Sequence, residues 1–282
     1  MVWQGGSPRP RSLAPREHGA YAQLALPMLA ALGAGRPGVV AVLLSVSAWA
    51  LFFAHEPVLV LLGRRGERPR AEHGARARTR LAVLCVTGAA LGLAALVLAP
   101  IPVRSAVTFP ALLGCAVAVC IGLGQERSLV GEAVAALALA AVSFPVAIAA
   151  GMPPGDASRA WCVWALGFGS LLVPVRSIGM RRRSASSAAR RVLPVLLALA
   201  AALALLGAGL GAGHMLALAP MLLSAGWFAV ALPEPRALAR VGWTVVGASV
   251  LTAILLISLA RIPPPHAASA NASRNPCASM HC

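Results

Sequence analysis

Charge is scarce in this sequence. Of 282 residues only 11% are Asp, Glu, Lys or Arg, while 59% are apolar. That ratio excludes a water-soluble domain of ordinary composition and puts the chain in a bilayer. Lysine is absent, so all 24 basic residues are Arg, and Asp156 is the single Asp among eight acids. With the excess of Ala, Gly and Pro, the missing lysine looks like the codon bias of a GC-rich genome. The net charge of +16 would suit nucleic acid, but the arginines sit in short clusters between apolar runs rather than on an aromatic-interleaved polar surface. They read as topology signals, and no nucleic-acid partner is expected. Soluble-enzyme motifs are missing too: no phosphate-binding glycine loop ending in Lys, no His pair at helical spacing around a Glu, no Gly-x-Ser-x-Gly elbow. Four of the six cysteines, Cys85, Cys115, Cys120 and Cys162, fall inside apolar runs as small hydrophobes, so no disulfide framework is implied. The terminal Cys277-Ala-Ser-Met-His281-Cys282 is read as a tail, neither a metal site nor a prenylation box. No metal is expected, and the cofactor stays open.

What is there is a series of apolar runs: Ala20 to Ala34, Gly38 to Leu62, Leu81 to Ala99, Ala106 to Leu123, Leu129 to Ala150, Ala160 to Met180, Val192 to Ala212, Met215 to Leu232 and Val241 to Ala260. They predict an all-α fold, a polytopic transmembrane bundle of about nine helices. Residues 1–19 are expected to form a mobile basic lead, 20–260 the helical domain, and 261–282 a disordered tail. The first run is short, roughly 15 residues against about 20 for a typical span. A cleaved signal peptide is its rival, disfavoured because a lead ending in Glu17-His18-Gly19 is an odd n-region. His55-Glu56-Pro57 predicts a kink or early stop in the second helix, and Arg64 to Arg80 predicts the longest polar loop.

Cytoplasmic loops accumulate arginine. With the N-terminus inside, alternate threading puts nineteen arginines on the inner side and five, Arg36, Arg104, Arg159, Arg261 and Arg274, on the outer. Seven of the eight acids then also fall on or near the inner side, although they played no part in choosing the threading. Ionisable groups at membrane depth are costly and face a partner or a wet cavity. A polar cluster is therefore expected at the inner side: Arg16, Glu17 and His18 where the first helix begins, His55 and Glu56 near the inner end of the second, Glu126 and Arg127 in the fourth loop, Glu132 in the first turn of the fifth helix, and Arg176 at the inner end of the sixth. Arg16, Arg127 and Arg176 are candidate anion partners, and His18, His55 and Glu56 candidate proton handlers. Each has a plainer reading: a Ser128 cap and helix dipole for Glu132, interfacial anchoring for Arg176, a satisfied polar pair at a kink for His55-Glu56. Ala-rich and Gly-xxx-Gly faces such as Gly207 to Gly213 are read as close helix packing.

Pro15-Arg16-Glu17-His18-Gly19-Ala20-Tyr21-Ala22, followed by a short span with Pro27, resembles the opening motif of the YwiC-like bacterial membrane proteins. In that family Trp is usual where Tyr21 stands. Glu56-Pro57, Glu126-Arg127-Ser128-Leu129-Val130-Gly131-Glu132 and Val175-Arg176-Ser177-Ile178 resemble its internal signatures, so the likeness covers most of residues 15–260. It implies a multi-pass protein of the bacterial inner membrane and no particular activity. The helix count and inner-side polar ends also resemble UbiA-type prenyltransferases, whose Asp-rich, magnesium-bridged motifs this chain lacks. Three roles follow: binding or handling a small or lipid-linked molecule from the cytoplasmic side, an intramembrane transferase, or a structural or assembly partner in the membrane. Whether the protein is an enzyme stays open.

Overall fold

A computed structural model describes residues 18–180, 209–231 and 238–262. All regular structure there is helical: α1 (His18–Ala34), α2 (Val39–Leu61), α3 (Glu67–Leu98), α4 (Ile101–Gly122), α5 (Leu129–Ala141), α6 (Ser143–Ala149), α7 (Pro154–Met180), α8 (Gly209–Ala231) and α9 (Leu238–Ala260). Seven stretches are long and apolar enough to cross a membrane, with α5 and α6 counting as one, and α1 is a shorter apolar helix. The protein is thus a multi-pass membrane protein. The expected lead through Glu17, most of the seventh run and the tail beyond residue 262 lie outside the described residues.

Two sequence expectations are corrected. The Arg64 to Arg80 segment is mostly not a loop: α3 starts at Glu67 and runs unbroken for 32 residues. Its Arg and Ala residues are good helix formers, and Arg68 pairs with Glu72 one turn on, Nε to Oε1 2.7 Å. Only the turn at Leu62–Gly66 breaks the chain, with Gly63 and Gly66 at φ 71 and 100. Nor does α2 stop early at His55-Glu56-Pro57, for it continues to Leu61 with Pro57 fully buried. Neighbouring helices make such a proline tolerable in a bilayer.

Contacts sort the helix ends into two groups. At one end Arg64 Nη2 donates to the last carbonyls of α4, Ile121 O at 3.2 Å and Gly122 O at 3.0 Å, and Arg176 near the end of α7 reaches the loop before α5. At the other, Arg36 N–H donates to Ala150 O at 2.7 Å and Arg261 Nη2 to Gly33 O at 3.2 Å. Every one of these contacts joins loops or helix ends that the alternate threading puts on one side.

Two apolar cores hold the bundle. One joins α7, α8 and α9 with α1 and α5 around Trp164, Phe168, Leu218, Met221 and Phe228. The other joins the opposite-end halves of α1, α2, α3 and α4 with α6 and the start of α7, around Leu44, Val103 and Val146. Helices approach closely where glycine allows it: a Cβ on Gly33 would meet Ile257 Cδ1 at 2.8 Å, and one on Gly213 would meet Leu259 Cδ2 at 2.7 Å. Helices α2 and α3 pair along their length, pinned by Ser47 Oγ donating to Gly88 O at 2.7 Å. Helix α4 packs instead on α5 and α6. The space left between α2 and α4 is the site.

Candidate functional site

A cavity of about 810 Å³ lies among α1, α2, α4 and α5. Three of these helices give it a stripe at helical spacing. From α2 come Leu44, Ser47, Ala48, Leu51, Phe52, His55, Glu56 and Leu59, and from α4 Val107, Ala111, Gly114, Cys115, Ala118 and Ile121. From α5 come Gly131, Glu132, Ala135, Ala138 and Leu139, and just past its end Val142. The α4 and α5 stripes are built of small residues, which leave the volume empty. A Cβ added to Gly114 would meet nothing within 4 Å. The small face of α4 therefore serves space rather than close packing.

Polarity in this cavity is graded. His55, Glu56, Arg65, Glu126, Arg127 and Glu132 all line it toward the end where α2 and α4 finish and α5 begins. Away from that end the walls are almost wholly apolar. From Ile121 back to Val107 the α4 stripe extends about 21 Å at 1.5 Å per residue, past the middle of a hydrocarbon core about 30 Å thick. Leu51, 52% exposed, and Ala111, Gly114, Cys115 and Ala118, all exposed, are also cavity-lining. The cavity consequently opens sideways between α2 and α4, where a bilayer would surround it.

Of the nine residues singled out in the sequence, five line this one cavity: His55, Glu56, Glu126, Arg127 and Glu132. Arg176 stands behind it. Its Nη1 lies 2.7 Å from Glu132 Oε2, off the line needed for a hydrogen bond, so the attraction is ionic. Its Nη2 donates to Arg127 O at 3.0 Å. Arg16 and Glu17 lie outside the described residues, as does the side chain of His18, whose backbone opens α1.

Sequence reasoning missed Arg65. This residue clasps Glu56 in a fork, Nε to Oε1 at 2.9 Å and Nη2 to Oε2 at 2.6 Å, with the Glu56 side chain only 9% exposed. The signal was available: a doubled Arg64-Arg65 directly after the helix carrying a buried acid. Read only as a positive-inside count, it hid two opposite reaches, Arg64 to α4 and Arg65 back to α2. Tyr21 of the opening motif packs edge-on to Phe52, centroids 5.2 Å apart, with Trp49 and Phe53 completing the cluster. It thereby sets the Phe52 wall of the cavity.

The turn before α5 is held from several sides. Gly124 takes φ 72, Ser128 N–H donates to Gln125 O at 2.9 Å, and Ser128 Oγ accepts from Gly131 N–H at 3.0 Å as the predicted cap. Gly131 presses on Gln125 O so closely that a Cβ has no room. Among the described residues no three His, Cys, Asp or Glu side chains gather to hold a metal ion.

Compared with known proteins, residues 14–148 match the family model of the YwiC-like proteins. The match takes in the opening motif, Glu56-Pro57 and the Glu126–Glu132 stretch, and ends before Val175-Arg176-Ser177-Ile178. No curated protein and no solved structure matches the chain.

Proposed function

For a chain whose residues 14–148 match the YwiC-like family model, we propose a membrane protein that binds an amphiphile, apolar tail along the α2–α4–α5 trough and head group at the charged end. The observation that carries this is the gradient inside one cavity: paired and unpaired charges at one end, then about 20 Å of small and apolar wall, open sideways. Its size falls within the roughly 300–1,000 Å³ of small-molecule sites. The charged end faces the cytoplasm, the chain starts inside, and the protein sits in the inner membrane of a bacterium as a bundle of about nine helices. The nineteen-to-five arginine partition supports that orientation. A reporter fused after Arg261 that is active only in the cytoplasm would overturn it.

The transferase alternative needs carboxylates that bridge magnesium to a diphosphate. Glu56 and Glu132 are each engaged by an arginine instead, and no metal-holding group is present among the described residues. Binding or handling of an amphiphile is the better-supported reading. Its test is native mass spectrometry of the full chain released from membranes in mild detergent, beside Gly114→Trp. The wild type should carry a lipid-sized species that the variant, folded but with its trough filled, has lost. Equal loading of both would refute the site.

A further inference from the structure

We propose that the head group held here is a phosphoethanolamine, its ammonium on Glu126 and its phosphate on Arg127. This rests on the amphiphile reading above. Glu56 and Glu132 have their charges met by Arg65 and Arg176. Glu126 differs from both: its Oε2 is buried and has no hydrogen-bond partner among the described residues, although the residue lines the cavity. The residue as a whole is only partly buried, and a ligand N–H at its carboxylate would supply the donor that Oε2 lacks.

The next residue supplies the opposite chemistry. Arg127 lines the same end and is exposed, and its backbone carbonyl accepts from Arg176 Nη2. A guanidinium at the N-terminal end of α5 suits a phosphate by charge, by its forked donors and by the helix dipole. Both side chains spring from the Gly124–Ser128 turn, which its own hydrogen bonds and the Gly131 contact hold in place. The head group is therefore met by a preorganised pair. A bare diphosphate would bring its charge against Glu126, and a choline head group has no N–H to give.

The test titrates the full chain in mild detergent with lysophosphatidylethanolamine, lysophosphatidylcholine and lysophosphatidylglycerol of one acyl length, read by native mass spectrometry, with free phosphoethanolamine as competitor. The ethanolamine lipid should bind at least about tenfold more tightly than the choline lipid, about 1.4 kcal/mol. Glu126→Gln should abolish that preference, with Glu126→Asp as the second variant should the first fail to fold. Arg127→Ala should weaken all three lipids. Equal binding of the three to the wild type, or a preference untouched by either Glu126 variant, overturns the head-group assignment and leaves the amphiphile site standing. Binding of none, or binding unchanged by Gly114→Trp, overturns the site itself. Free phosphoethanolamine competing as well as the lipid would overturn the role of the trough.

Discussion

Arg65→Leu tests the forked contact between Arg65 and Glu56. Glu56 is buried at the end of α2, with its side chain 9% exposed, and both of its oxygens receive N–H donors from Arg65, which is itself 24% exposed. Removing the guanidinium leaves a carboxylate that water barely reaches. Breaking a buried pair from one side typically costs about 3–5 kcal/mol; partial exposure of Arg65 puts this one near 3. Replacing both residues by apolar side chains of similar bulk, Glu56→Leu with Arg65→Leu, should cost far less, because no charge is then stranded. Thermal unfolding in detergent, followed by tryptophan fluorescence across the four members of a double-mutant cycle, measures the coupling. A coupling below about 0.5 kcal/mol, the size of an exposed pair, would refute the argument that Glu56 is a clasp. A large coupling would also argue against Glu56 as a mobile proton handler, because a carboxylate clamped by a fork is poorly placed to exchange protons.

Two further predictions concern the turn that carries Glu126 and Arg127. Ser128→Ala removes the cap on Gly131 N–H and should cost about 1 kcal/mol, read as a lower unfolding temperature in the same assay. Gly131→Ala forces a methyl against Gln125 O and should cost about 1–3 kcal/mol as overpacking does, whereas Gly114→Ala, which meets open space, should stay within about 0.5 kcal/mol of wild type. Equal costs at the two glycines would contradict the cavity.

Much of the fold was legible because a bilayer demands long apolar runs and little else. The described helices fall on eight of the expected runs; the Val192 to Ala212 run lies almost wholly outside them. The errors came where polar residues are helical all the same. Glu67 to Arg80 carries Arg and Glu at one-turn spacing and extends α3 beyond its apolar part, and Pro154–Arg159 does the same for α7. Hydropathy cannot mark those boundaries, since it reports where a helix enters lipid and not where it begins.

Depth along each helix was legible as well, and depth alone was enough to group His55, Glu56, Glu126, Arg127 and Glu132. Pairing was not. Nothing in the chain says that Glu56 takes Arg65 and Glu132 takes Arg176, because each arginine served equally well as a topology signal. The cavity was the least legible feature, and the reason is physical: a stripe of small residues permits either a close helix or an empty space. On α8 Gly213 lies against Leu259 of α9; on α4 Gly114, in an equally small and apolar neighbourhood, faces nothing within 4 Å. What separates the two is where the partner helix goes. The α2–α3 pair and the α4–α5 pair each satisfy themselves, so their inner faces are left apart. The opening motif bears on this as much as the charges do. Tyr21 joins the aromatic cluster of α2 that sets Phe52 as a wall, so the stretch carrying the family likeness helps hold the trough open. Tyr21→Ala should therefore change occupancy of the trough before it changes the charged end.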